Sequence, residues 1–489
     1  MILGGTGMDK SGHKAKPIAK SESINAIVFV SGMVVMLFSM LATMVMLPDI
    51  LRVNDIGIAS VQLVNTIPIA LIAIMYPIGS AWLRLGSVRR MYQISLLIFL
   101  IGTVLMLASK AFAWIFVGKI IQAVSFGLFF PIVIPLVRVL LPNNYQGYVG
   151  IGRKIVISVT FGLSIIIPGI LVSVADWRFV YYLVLALAVL ALVASIWLTT
   201  ELEVHKLNLD WYSILLSIGF LGFVWSVGSS LVKAVPLEVK TLVFIGSLLL
   251  IIGYIIYNQY VLKQKSSLRV FLNVKFSVLT FNSAVAAMSM MAVLTIGVLY
   301  LEQGLHYSVF LTSLSLIPSV AVFFGGVFFG TKLSNKLKIS RLTKIKIGSA
   351  ILATGWLIMA IFASSLNLVA FIVISSLIEL GHGILAIANR KEVLHKQKGA
   401  TRRKNRQTFD QCTFYLASLG LTVLTVLLQQ ITESEVGGTL PGTLASLSGY
   451  RAVFFIIFVI TIFNWAITMM LGHTLTFIET LRSKNHPNK

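Results

Sequence analysis

The amino-acid sequence predicts an all-α integral membrane protein of fourteen spans, on three observations. Of 489 residues, 57% are hydrophobic and 11% charged, with a mean hydropathy of +0.94, whereas a water-soluble chain devotes about a quarter of its residues to charge. Apolar runs recur at close to the ~20 residues that a helix needs to cross a ~30 Å hydrocarbon core. Strand-length alternation is absent, which leaves helices as the way to satisfy the backbone inside lipid.

In chain order, residues 1–23 form a polar tail carrying Lys10, Lys14, Lys16 and Lys20. The apolar run 24–48 is too long for a signal-peptide core, and no small-residue cleavage site follows, so it is expected to be a retained first span. Further runs cover 58–82, 91–109, 112–137, 155–175 and 179–199, then 211–232 and 239–262, then 277–300, 308–331, 347–365, 368–388, 411–431 and 451–474. Trp82, Trp114, Trp177, Trp197 and Trp211 fall at the ends of these runs, where an interfacial aromatic belt is expected.

An even number of spans places both termini on one side. With the N-terminus inside, 32 of the 39 Lys and Arg residues fall in inner segments and 6 in outer ones. That asymmetry is the positive-inside pattern, and it predicts cytoplasmic termini and a plasma-membrane location. The net charge of +23 is then inner-loop charge facing anionic lipid headgroups, which argues against a nucleic-acid partner. The basic segment 389–410 is expected to be a solvated cytoplasmic loop. The one cysteine, Cys412, excludes a disulfide within the chain and any cysteine-rich metal site.

Local motifs add a resemblance. Gly79-Ser-Ala-Trp-Leu-Arg84-Leu-Gly86-Ser-Val-Arg89-Arg90 between the second and third runs resembles the inner-loop signature of the major facilitator superfamily. A weaker second copy, with Asn335 and Lys336 at the Asp and Arg positions, follows eight spans later. Leu47-Pro48-Asp49-Ile50, Gly118-Lys119-Ile-Ile-Gln122-Ala123, Asp176-Trp177-Arg178, Asp210-Trp211 and Leu301-Glu302-Gln303-Gly304 are similar to patterns of the fourteen-span drug:proton antiporter branch. Three positions depart from that branch: Leu83 stands where the loop signature has Asp, Ser39 where span 1 has Asp, and Ser164 to Gly169 where span 5 has its glycine- and proline-rich motif.

The resemblance implies two six-helix bundles plus two extra central helices. The expected layout is a cytoplasmic tail 1–23, a bundle 24–199, linker helices 200–262, a bundle 263–474 and a cytoplasmic tail 475–489. It further implies a monomeric, bacterial secondary transporter that moves an amphiphilic or drug-like small molecule outward by alternating access, with substrate held near the midplane and a proton or other ion as coupling partner. Two other readings stay open: an exporter of anionic or lipid-like cargo, and a non-transporting membrane sensor or scaffold.

Two places carry ionisable side chains well inside the apolar runs. Glu379, with His382 one turn on, is a candidate for proton coupling or substrate sensing, because a charge in the hydrocarbon is costly and marks function by default. Lys119, with Gln122 one turn on, occupies the position at which the resembling family places a cavity arginine; a lysine snorkelling to the interface is the simpler alternative. Pro168 and Gly169 are candidates for a helix kink. No P-loop, HExxH pattern, catalytic carboxylate pair or nucleophile elbow is present in the sequence, so neither an enzyme, a cofactor nor a metal is expected.

Overall fold

The computed structural model describes residues 20–54, 58–82, 88–109, 111–140, 146–197, 211–230, 235–257, 260, 268–333, 336–395, 397–435 and 447–485. Helices joined by short turns make up these residues. The helices are α1 (Lys20–Val45), α2 (Leu47–Asn54), α3 (Ile58–Trp82), α4 (Val88–Ala108), α5 (Phe112–Leu140), α6 (Gln146–Val174), α7 (Arg178–Ala194), α8 (Trp211–Gly228) and α9 (Leu237–Tyr257). They continue with α10 (Val274–Leu299), α11 (Val309–Phe328), α12 (Arg341–Phe362), α13 (Leu368–Val393), α14 (Gly399–Glu435) and α15 (Leu447–Asn485).

Among the described residues, 12 helices are long and apolar enough to cross a membrane. The described apolar stretches of α3 and α8, Leu63–Ile72 and Leu216–Gly228, are shorter than that. Large apolar side chains face outward along these helices, as lipid in place of water allows: Leu242, Leu249 and Ile256 of α9 are exposed, as are Leu190 of α7 and Phe463 of α15.

Local signals set several helix starts. Asn273, Ser308, Ser340 and Asn367 cap α10, α11, α12 and α13, each side-chain oxygen accepting from a backbone N–H three residues on. Helix α6 runs through Pro168 and α11 through Pro318 without a break. A side chain at Gly169 would meet Ser313, so this glycine serves close helix packing. Segment 389–410 is mostly helix and not the loop expected: α13 reaches Val393 and α14 starts at Gly399. Lys and Arg are good helix formers, and both helices simply run past their apolar stretches. Trp114 and Trp197 are exposed as the belt requires, but Trp177 is fully buried, since its ring fills the core of its unit. Trp82 and Trp211 have side chains outside the described ones.

The chain divides into two compact units. One comprises Met1–Ala42, Ile74–Ser164 and Arg178–Asp210; the other comprises Thr43–Ala73, Ile165–Trp177 and Trp211–Lys489. In the first, α4 packs on α5 and α7, and Tyr92 of α4 donates to the Val28 carbonyl of α1 at 2.6 Å. In the second, α13 lies against α11, α12 and α10, while α15 packs on α12 and α10.

Candidate functional site

The first unit gathers its buried polar groups around Lys119. Gly102 of α4 and Gly118 of α5 meet backbone to backbone, where a Cβ on either would collide with the other helix. That approach brings the next turn of α5 against α4, so that Gln122 Nε2 donates to Thr103 Oγ1 at 2.8 Å. Thr103 in turn donates to the Phe99 carbonyl at 2.8 Å. From α1, Ser39 Oγ donates to Gln122 Oε1 at 3.1 Å. Lys119 Nζ donates to the Ser39 carbonyl at 3.0 Å and to Gln122 Oε1 at 3.3 Å. It also lies 5.9 Å from the ring centre of Tyr181 on α7, a cation–π distance. The side chain is 1% exposed, so Lys119 does not snorkel: its ammonium is drawn inward to the Ser39 carbonyl of α1, Gln122 Oε1 of its own helix and the Tyr181 ring of α7.

The second unit holds the other pair. Gly326 of α11 and Gly383 of α13 cross at a distance that leaves no room for a side chain on either, Gly383 lying against the Phe323 carbonyl and Gly326 against that of Leu380. Small residues at a membrane helix crossing permit this approach. The residues flanking the crossing are then forced together: the His382 ring lies over Phe323, with centroids 4.8 Å apart. His382 Nδ1 and Glu379 Oε2 are 3.1 Å apart within α13, one turn as the spacing predicts. Both residues are buried, and Glu379 Oε1 has no hydrogen-bond partner among the described residues. One carboxylate with one free acceptor beside an imidazole can hold a proton between them and exchange it with a neighbour.

Of the inner-loop motif, Gly79 lies at a contact with the Leu128 backbone, Arg89 is half-buried and Arg90 exposed. Arg84, Gly86 and Asn335 lie outside the described residues, and Lys336 is exposed. Leu301-Glu302-Gln303-Gly304 occupies a π-helical turn, Tyr300–Gly304, that ends α10. Lys119 belongs to one unit and Glu379 to the other.

Sequence reasoning missed several partners. Thr103, Tyr181 and Phe323 supply contacts that no local pattern announces. Asn282 of α10 was detectable as an amide inside an apolar run; its Nδ2 donates to Ser349 of α12 at 2.7 Å and Thr468 of α15 at 2.8 Å. Near the basic end of α13, Glu392 is bonded by Lys275 and lies 3.6 Å from Arg341, while Asp410 is bonded by Arg390 and lies 3.7 Å from Arg406. Among the described residues no group of three or more His, Cys, Asp or Glu side chains is placed to hold a metal.

The sequence profile of the Major Facilitator Superfamily matches residues 28–391. The chain belongs to this superfamily. Among its relatives are the lincomycin resistance protein LmrB of Bacillus subtilis, 26% identical over 68% of this chain and 67% of that protein, and LmrB of Listeria monocytogenes, 26% identical over 65% and 66%. Solved transporter structures share the fold. The bacterial homologue of the human lysosomal transporter Spinster superposes with a TM-score of 0.69 at 14% identity, covering 93% of this chain and 98% of that one. The POT-family transporter PepTSo superposes with 0.71 at 11% identity, covering 93% and 98%. The protein is thus a multi-pass, all-helical superfamily transporter with lincomycin resistance proteins among its relatives.

Proposed function

We propose that this protein is a proton-coupled exporter of amphiphilic, drug-like small molecules, working by alternating access, with Glu379 and His382 as the coupling pair. The observation that carries the reading is the buried carboxylate of Glu379, bonded on one oxygen to His382 and, among the described residues, open on the other. A carboxylate in the hydrocarbon is retained against a cost of ~3 kcal/mol or more on insertion scales, so it needs a reason beyond packing. Proton binding removes that cost, and a proton that binds better in one conformation than the other is what shifts a two-state transporter.

The superfamily fold and the named lincomycin resistance of the relatives support efflux and an amphiphilic substrate. Helices α3 and α8 complete a count of fourteen, being 25 and 18 residues long. In this layout α8 and α9 are the linker helices of 200–262 between bundles 24–199 and 263–474. The charge asymmetry puts the termini and the basic segment 389–410 in the cytoplasm, against anionic headgroups. Lys119 and Gln122 then brace α1, α4 and α5 in the first unit and set the polarity of the interior.

The test is efflux of lincomycin and of a cationic dye from cells of a drug-sensitive bacterial host, with and without an uncoupler. Uncoupler-sensitive export that is lost in Glu379→Gln is expected. Export that survives both the uncoupler and the substitution would remove proton coupling through this residue.

A further inference from the structure

The polar character of α13 does not stop at His382. At 100° per residue, Glu379, His382, Ala386 and Asn389 share an arc of about 80°, and Glu392 follows within one more turn. Four of these five side chains are polar, and those four are buried: Glu379 at 4% exposure, His382 at 6%, Asn389 at 0% and Glu392 at 8%. Packing against apolar neighbours gives no reason to keep four such groups on one side of a membrane helix.

Asn389 is held firmly and still has an acceptor to spare. Its Nδ2 donates to Asn282 Oδ1 at 2.9 Å, and Asn282 is pinned in turn by Ser349 and Thr468. Asn389 Oδ1, like Glu379 Oε1, is buried with no hydrogen-bond partner among the described residues. Buried polar atoms of this kind are satisfied by internal water where the site has room. Between His382 and Asn389, about 10 Å apart along the axis, their 80° arc carries only the small, half-buried side chain of Ala386. The stripe ends at Glu392, whose partners Lys275 and Arg341 have side chains 27% and 45% exposed. The helices packed on α13 add few competing charges. Among the described residues α11 carries no ionisable side chain, α10 carries Lys275, and α12 carries Arg341, Lys344 and Lys346, all near the same end as Glu392.

We propose that this stripe is a proton-release route, from the Glu379–His382 pair through water lying against Ala386 and Asn389 to Glu392. The route rests on the reading of that pair as the coupling site. In each step one O–H or N–H bond breaks at the donor as one O–H bond forms on the adjacent water. The last proton passes to the Glu392 carboxylate and from there to bulk water; no electrons change hands. Asn389 acts as a positioning residue, orienting water through its free oxygen, and Ala386 keeps the passage open.

Hydrogen–deuterium exchange at the Glu379 carboxyl group reads the route without a substrate. In detergent-free nanodiscs, at a pH low enough to protonate it, its carbonyl stretch is assigned by the band that Glu379→Gln removes. After rapid transfer to D2O, exchange is expected to be at least tenfold slower in Ala386→Leu and in Asn389→Leu, and unchanged in Ala386→Ser, which keeps the space. Wild-type exchange rates in both leucine variants would overturn the route, as would equal slowing in Ala386→Ser. If Glu379→Gln leaves pH-driven efflux intact, the coupling reading falls by itself, while the exchange rates still decide whether the passage exists.

Discussion

In the first unit the buried Lys119 donates hydrogen bonds to a backbone carbonyl and to an amide oxygen, and that amide is tied through Thr103 to a further carbonyl. In the second unit the buried acid Glu379 has one oxygen bonded to His382 and one bonded to nothing among the described residues. Both sites are built the same way, beside a glycine-to-glycine helix crossing that drives polar side chains into the interior. They differ in how fully their hydrogen bonds are made. A closed network resists change, because each partner lost leaves another buried group unpaired. An open acceptor is where a proton or a water can enter. The proposed coupling role follows this contrast, with rigidity in the Lys119 cluster and exchange in the Glu379 cluster.

The largest effect that would sharpen this contrast is expected at Glu379. Replacing it with Gln keeps the shape but removes the ionisable oxygen, and pH-driven efflux in proteoliposomes should fall by about a hundredfold, in the range of general acid–base contributions. Thermal stability should be nearly unaffected, since the amide can still meet His382. A melting temperature that fell with activity would show the pair to be structural.

Next comes the crossing that positions it. Gly383→Val sets a branched side chain against the Phe323 backbone, and overpacking of this kind costs about 1–3 kcal/mol. Thermal unfolding in nanodiscs should register the loss, and efflux should drop as α11 and α13 separate. Unchanged stability would mean that the helices can slide apart freely.

Lys119→Met should reverse the pattern seen at Glu379, lowering stability by about 1–3 kcal/mol because the Ser39 carbonyl and Gln122 Oε1 lose a buried donor. Residual efflux should stay proton-driven. Abolished coupling with full stability would move the exchange role to the first unit and break the comparison. The smallest effect is expected for Thr103→Val, which removes one acceptor and one donor from the same network. A loss of roughly 1 kcal/mol, or less, matches interhelical hydrogen bonds in membranes, and a double-mutant cycle with Lys119→Met should show coupling through Gln122.

The fold class was legible because it rests on composition and run length, which tertiary contacts do not alter. Within the described residues each predicted apolar run overlaps a helix, the first being divided between α1 and α2, and 12 helices meet the spanning criterion. Glu379 and His382 stood out for a related reason, since a charge in an apolar run is visible one residue at a time. The partners were less legible. Thr103 looks like any threonine facing its own helix backbone, and Phe323 like any lipid-facing phenylalanine, until the glycine crossings bring them beside Gln122 and His382. Trp177 misled for the opposite reason: its place at a run end suggests an interface, whereas packing buries it completely.

What the amino-acid order alone determined is the solvent, the helices and the presence of ionisable groups within them, because hydrophobic transfer and backbone hydrogen bonding act locally along the chain. What only the tertiary structure decided is which of those groups are satisfied. Hydrogen bonds between helices depend on crossing distances set by Gly102 with Gly118 and by Gly326 with Gly383. Among the described residues those distances close the network around Lys119 and leave an oxygen of Glu379 open, a difference that arises between helices and so cannot be read from either one by itself.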